Sequence, residues 1–178
     1  MTRLFTALVP PPHVRRALDA ALAGARAAHP GLRWTSPAQW HVTLAFHGDD
    51  ADTDARIDGL ERVAHLPAPR LELGALGTFG SGVLWAGVGG DLDALRAVAL
   101  AAGADPDRWH PHLTVARWRG RTPPHVVAQP PAATGWTARE VVLVRSDAER
   151  GGHEYTQVAA VPLAPPESGR DELGHDPW

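Results

Sequence analysis

The hydrophobic and polar positions of this chain change period several times, and each change marks an element. "TRLFTALV" (2–9) alternates and predicts a strand. After it, Val14, Ala17, Leu18, Ala21, Leu22 and Ala25 fall on one helical face, between a run of prolines and the stop "HPG". A short strand is expected at "LRWTS" (32–36) and a longer one at "QWHVTLAFHG" (39–48). A second helix is expected from Asp50 or Asp52, turning Ile57, Leu60 and Val63 inward and stopping before Pro67. "RLELGALGTFG" and "GVLWAGVGG" predict two antiparallel strands about a glycine-rich turn. "DLDALRAVALAAG" (91–103) predicts a helix that buries Leu92, Leu95, Val98 and Ala99. "HPHLTVARW" (110–118) predicts a strand, residues 119–138 read as proline-rich and irregular, and "REVVLVRSD" and "HEYTQVAAVPL" predict two closing strands. From Pro165 onward a loose tail is expected. Helices interleaved with strands in this order predict an α+β fold with antiparallel sheets.

One pattern occurs twice. "HVTLAF" (41–46) and "HLTVAR" (112–117) share a His, a hydrophobe, a Thr and a second hydrophobe. At this composition a chain carries about 0.1 such matches by chance, so two by accident is on the order of one in a hundred. On a strand, residues two apart share a face. His41 and Thr43 therefore project together, as do His112 and Thr114, while Val42, Leu44, Leu113 and Val115 project into a core. Two imidazoles flanking one phosphorus can divide proton transfer, one taking a proton from water and the other giving one to the leaving oxygen. The threonine hydroxyls can donate to non-bridging oxygens where charge develops. Taken singly, each His reads more readily as a hydrogen-bonded structural residue at a strand end; the pair together does not. "HPH" (110–112) would need a further ligand to hold zinc, and neither a cysteine nor an HExxH helix supplies one. The histidines at 13, 29, 47, 65, 125, 153 and 175 have no repeated context and read as surface residues.

Composition removes several mechanisms. With 178 residues and 44% hydrophobic content, the chain is long enough for one sizeable core. It contains no apolar run long enough to span a membrane, and its first residues are broken by proline too early for a signal peptide. There is no cysteine, hence no disulfide, thiolate metal site or cysteine nucleophile, and a cytoplasmic location is expected. All 17 basic residues are arginine. Schiff-base chemistry, a P-loop and a lysine-adenylate ligase are therefore excluded. A net charge of −3 argues against long, sequence-independent duplex binding but leaves a small or terminal nucleotide open.

The segments "RLFTALVPP", "QWHVTLAFHG", "VLWAGV", "WHPHLTVAR" and "YTQVAAVPL", in this order, resemble the 2H phosphoesterase superfamily, and within it the RNA 2′,3′-cyclic phosphodiesterases, or bacterial 2′-5′ RNA ligases. The resemblance runs to about residue 163. It implies a single domain over 1–164 of two quasi-symmetric lobes, with antiparallel sheets, outer helices and the His motifs facing across a central cleft. It implies a metal-independent and cofactor-free enzyme, expected to be a monomer, acting on RNA ends or small cyclic nucleotides. His41 would protonate the departing 3′ oxygen, His112 would activate water, and the product would carry a 2′-phosphate. The reverse reaction would join RNA ends through 2′-5′ bonds. Phe46 and Arg117, each five positions after its His, would hold the base between an aromatic face and a guanidinium plane. Strict alternation sends both to the core face, so the strand must end or bulge first; otherwise Phe46 is core. Trp40 departs from the aliphatic residue usual before the first His. Two alternatives stay open: a phosphodiesterase for 2′,5′-oligonucleotides or ADP-ribose cyclic phosphate, and a non-catalytic binder of RNA ends on the same fold. The neighbouring charges suggest a polarity, with Asp49 and Asp50 favouring a protonated His41, and Arg117 and Arg119 a neutral His112.

Overall fold

A computed structural model describes residues 2–49, 52–80, 82–120, 125–126, 128, 134–149 and 152–166. Its elements run β1 (Thr2–Leu8), α1 (Pro12–Ala28), β2 (Arg33–Trp34), β3 (Val42–Asp49), α2 (Thr53–Leu60), β4 (Arg70–Phe79), β5 (Val83–Gly90), α3 (Leu92–Ala101), β6 (His112–Arg117), β7 (Trp136–Thr137), β8 (Glu140–Glu149) and β9 (Gly152–Pro162). One antiparallel sheet takes them in the order β7-β4-β5-β6-β3-β1-β8-β9, with β2 added to β6.

The sheet is two half-sheets joined at a narrow seam. β3 and β6, the strands that carry the two motifs, meet at a single registered pair, Val42 opposite Leu113. Both residues are fully buried. On one side β3 continues through β1 to β8 and β9; on the other β6 continues through β5 to β4 and β7. The seam stays short because a side chain intervenes: Trp109, just ahead of the second motif, donates its indole N–H to the Thr43 carbonyl at 3.0 Å. The two lobes expected from the repeated motif are these half-sheets.

The helices cover the face that holds the main core. α1 buries Val14, Leu18, Leu22 and Ala25, with Ala17 and Ala21 at the half-buried margin of the same stripe. α2 begins at Asp52, whose carboxylate accepts from the backbone N–H groups of Asp54 and Ala55, so it is the later of the two expected starts that caps the helix. The earlier, Asp50, lies outside the described residues. α2 and the turn after it bury Leu60 and Val63 over a half-buried Ile57. α3 buries Leu95, Val98 and Ala99, but the expected Leu92 is 48% exposed. It is the first helical residue, and the packed stripe starts one turn later.

The fold also places Trp40 and part of the proline-rich stretch. Trp40 is 1% exposed and lies beneath the Arg26 guanidinium, so the bulky residue before the first His fills core. The proline-rich 119–138 stretch contains β7, which adds to the edge of β4 by pairing Trp136 with Leu71; residues 121–124, 127 and 129–133 lie outside the described residues. The expected loose tail likewise falls outside them from residue 167. Among the described residues no helix is long and apolar enough to cross a membrane.

Candidate active site

The same local irregularity shapes both motifs. Between β1 and β3 the register passes from Ala7 opposite Thr43 to Thr6 opposite Ala45, leaving Leu44 as an extra residue. Between β5 and β6 it passes from Trp85 opposite Thr114 to Leu84 opposite Ala116, leaving Val115 extra. Each bulge falls on the third residue after its His and reverses the alternation there. Leu44 and Ala45 are consequently both buried, as are Val115 and Ala116. Phe46 and Arg117 then emerge on the face that already carries His41, Thr43, His112 and Thr114. Phe46 is 61% exposed, so its reading as a core residue is overturned. All six residues singled out from the repeat are gathered on one face around the seam.

The two histidines are anchored identically. His41 Nδ1 lies 2.7 Å from the Gln39 carbonyl, and His112 Nδ1 lies 2.8 Å from the His110 carbonyl. A carbonyl only accepts, so each ring donates through Nδ1–H and keeps Nε2 for another partner. The anchors follow from local sequence. Ser36 caps a short 3-10 turn over Pro37–Gln39, which presents the Gln39 carbonyl to the first ring, and "HPH" does the same for the second. Gly87 stands opposite His112 in the register.

Burial lowers the pKa of both imidazoles below the ordinary histidine range. For His41 the carbonyl bond to Gln39 opposes this, and the positive charges of His112 and Arg117 add to it. For His112 the bond to His110 opposes it, and the charges of His110 and Arg117 add to it. His41 thus senses the charge of His112, and both rings share one arginine. Among the described residues the polarity expected from nearby charges is not found: Asp49 is spent on Arg3 at 3.0 Å, no described carboxylate acts on His41, and Arg117 depresses both rings instead of one, while Asp50 lies outside the described residues. The difference that exists is depth, for His41 is the more buried.

Each histidine has an aromatic wall that the motifs did not reveal. Phe5 of β1 stacks on His41 with centroids 4.7 Å apart, and Tyr155 of β9 meets the same ring edge-on at 5.6 Å. Phe79 of β4 meets His112 edge-on at 4.9 Å, and Trp85 of β5 packs against Phe79 and His110. Trp85 can lie across β4 only because its partner there is glycine: a Cβ at Gly77 would stand 2.3 Å from the indole. Tyr155 carries a hydroxyl whose pKa burial raises and the Arg117 charge lowers, which sets it near the shared arginine. The strand alternation of "HEYTQV" holds the one signal for Tyr155, since it puts a lone tyrosine among polar residues. His47, read as a surface residue, instead bonds the buried Thr6 hydroxyl at 2.8 Å, on the helix side of the sheet.

A family model for the 2′-5′ RNA ligase superfamily matches residues 10–150. The chain belongs to that superfamily. It is 34% identical over 164 residues to an RNA 2′,3′-cyclic phosphodiesterase of Geobacillus stearothermophilus, covering 82% of this chain and 52% of that protein. The chain therefore spans about half the length of this curated relative. Among solved structures, a Thermus thermophilus protein matches with a TM-score of 0.70 at 26% identity, over 90% of this chain and 97% of the other. E. coli LigT complexed with NADP+ matches with a TM-score of 0.67 at 25% identity, over 91% and 98%. The superfamily read from the repeated motif is the one these comparisons give, and the curled antiparallel sheet with its helices is a 2′-5′ RNA ligase superfamily fold.

Proposed function

We propose that this protein hydrolyses the 2′,3′-cyclic phosphate of an RNA end or a nucleoside, leaving a 2′-phosphate, with His41 and His112 as the two proton-transfer groups. One observation carries the reading: two imidazoles on one face, both tied through Nδ1 to a backbone carbonyl, with no partner at either Nε2 among the described residues. The neutral ring of one takes a proton from water through Nε2 as the water oxygen attacks phosphorus. The protonated ring of the other gives its Nε2 proton to the 3′ oxygen as the phosphorus–oxygen bond breaks. Protons balance, and the pair ends with its charge exchanged. We assign His41 as the acid and His112 as the base. Thr43 and Thr114 donate to the non-bridging oxygens, and Phe46 and Arg117 hold the base.

The name of the Geobacillus relative and the nucleotide carried by E. coli LigT support this reading. With a 5′-hydroxyl in place of water, the same proton transfers open the cyclic phosphate, release the 3′ oxygen as a hydroxyl and join two RNA ends through a 2′-5′ bond without a lysine-adenylate, which suits a chain without lysine. The cysteine-free sequence fits a cytoplasmic setting, and we assign the protein there as a monomer. The test is incubation with 2′,3′-cyclic AMP and with RNA ending in a cyclic phosphate, in EDTA. Phosphorus NMR should show a 2′-phosphomonoester. A 3′-phosphate product, or no turnover of either substrate, overturns the proposal.

A further inference from the structure

A second basic site adjoins the His112 half-site. Arg33 on β2 stands directly opposite Arg117 on β6, and Arg119 follows two residues later. Like charges placed opposite one another across a strand pair repel. Among the described residues no ion pair offsets this. The four ion pairs among the described residues use Arg3, Arg26, Arg108 and Arg145, and none reaches these three. From Arg108 to Arg139 the sequence contains no Asp or Glu at all. The three arginines line an open cavity of about 360 Å³ with Phe79, Val83 and Trp118. Phe79 is a shared wall, since its ring edge also packs on His112. The cavity thus adjoins the cleft through Phe79, is large enough for part of a small ligand, and carries positive charge with no acidic residue among its described lining.

We propose that this pocket binds the phosphodiester of the nucleotide preceding the RNA end, so that the preferred substrate is a polynucleotide and not a free cyclic nucleotide. The inference rests on the phosphodiesterase reading above and names the substrate class for that site. Arg117 then has two neighbours to serve, the terminal nucleotide on one side and the chain on the other. Arg33 and Arg119 act on the chain alone. An arginine fork matches phosphate oxygens in geometry and charge. The apolar floor of Phe79 and Trp118 suits the sugar and base that accompany the phosphate.

The experiment compares 2′,3′-cyclic AMP with a short single-stranded RNA ending in 2′,3′-cyclic phosphate, for the native protein, Arg33→Gln, Arg119→Gln and the double variant. We expect kcat/KM on the cyclic mononucleotide to stay within about twofold. On the RNA each single variant should lose about five- to tenfold through KM, and the double variant more. The log–log salt dependence of RNA binding should flatten by about 0.7 per arginine removed, the increment for a phosphate contact on a single strand. Unaltered melting of the variants confirms that they fold. Equal losses on both substrates would place these arginines in the terminal-nucleotide site and overturn the proposal, as would no loss on either. If the native protein turns over neither substrate, the phosphodiesterase reading fails separately. The pocket is then judged by fluorescence anisotropy with an RNA ending in a 2′-phosphate. Weaker binding by the variants supports it, and equal binding refutes it.

Discussion

The two half-sites share a backbone and differ in their side chains. Each has a bulge at the third residue after its His, a ring held through Nδ1, and an aromatic wall on neighbouring strands. The first half is walled by Phe5 and Tyr155, sinks its imidazole deeper and ends in Phe46. The second is walled by Phe79 and Trp85, keeps its imidazole nearer the surface and ends in Arg117. A repeated frame accounts for where the chemistry happens; only the side chains can assign different tasks to two equivalent positions. Superposed backbones therefore say little about which ring is acid and which is base.

The largest expected effect tests whether both halves are needed. His41→Ala and His112→Ala should each lower kcat/KM by about 10² or more, the usual contribution of a general acid or base. The double variant should be little worse than the worse single, because the two rings act in one step. Steady-state rates on 2′,3′-cyclic AMP measure this. Near-normal turnover in either single variant would break the equivalence of the halves.

Two aromatic residues in the first half should then separate structure from binding. Phe5 is 5% exposed and packs with Ala7, Val142 and Val144 beneath His41. Phe5→Ala should cost about 3–5 kcal/mol of stability, as core Phe truncations do. Phe46→Ala, at an exposed position, should leave the melting temperature nearly unchanged and raise KM. The rise should correspond to about 1–3 kcal/mol for a lost stacking platform. Arg117→Ala should behave like Phe46→Ala and not like Phe5→Ala. Paired thermal melts and KM values decide it, and an early-melting Phe46→Ala would return that residue to the core.

Much of this was legible in the chain because two signals were strong. A His-x-Thr pattern repeated on strands identified both the seam and the face, and apolar periodicity placed α1, α2 and α3. Other features depend on pairing between distant segments, which periodicity does not encode. The bulges at Leu44 and Val115 exist only relative to β1 and β5, so Phe46 read as ambiguous until the register was known. β7 is two residues long and takes its strand conformation from β4. The walls of Phe5, Phe79, Trp85 and Tyr155 come from four other strands. The part of the expected polarity that rested on Asp49 fails for the same reason: Asp49 is close to His41 in sequence but lies at the far end of β3, paired with Arg3.

The smallest effect bears most directly on the acid and base labels. In the free protein, deeper burial should make His41 titrate below His112, with both below the ordinary value near 6.5. Because the folded-state pKa values are depressed, the unfolded chain binds these protons first as pH falls. The contribution to stability is then complete above about 6.5 and is lost progressively below it. By itself this order favours His112 as the protonated partner, opposite to the assignment proposed. Substrate changes the balance. A phosphate anion in the cleft attracts both imidazolium forms, and it does so more strongly at the ring that has less water around it. His41 should therefore rise further than His112 when a 2′-nucleotide binds, and become the better proton holder in the complex. The kcat profile should be bell-shaped, its limbs belonging to the coupled pair. NMR titration of the two rings, free and with 2′-AMP bound, reads the order directly. Should His112 stay the more basic in the complex, His112 is the acid, His41 is the base, and the labels are exchanged while the two-histidine mechanism stands.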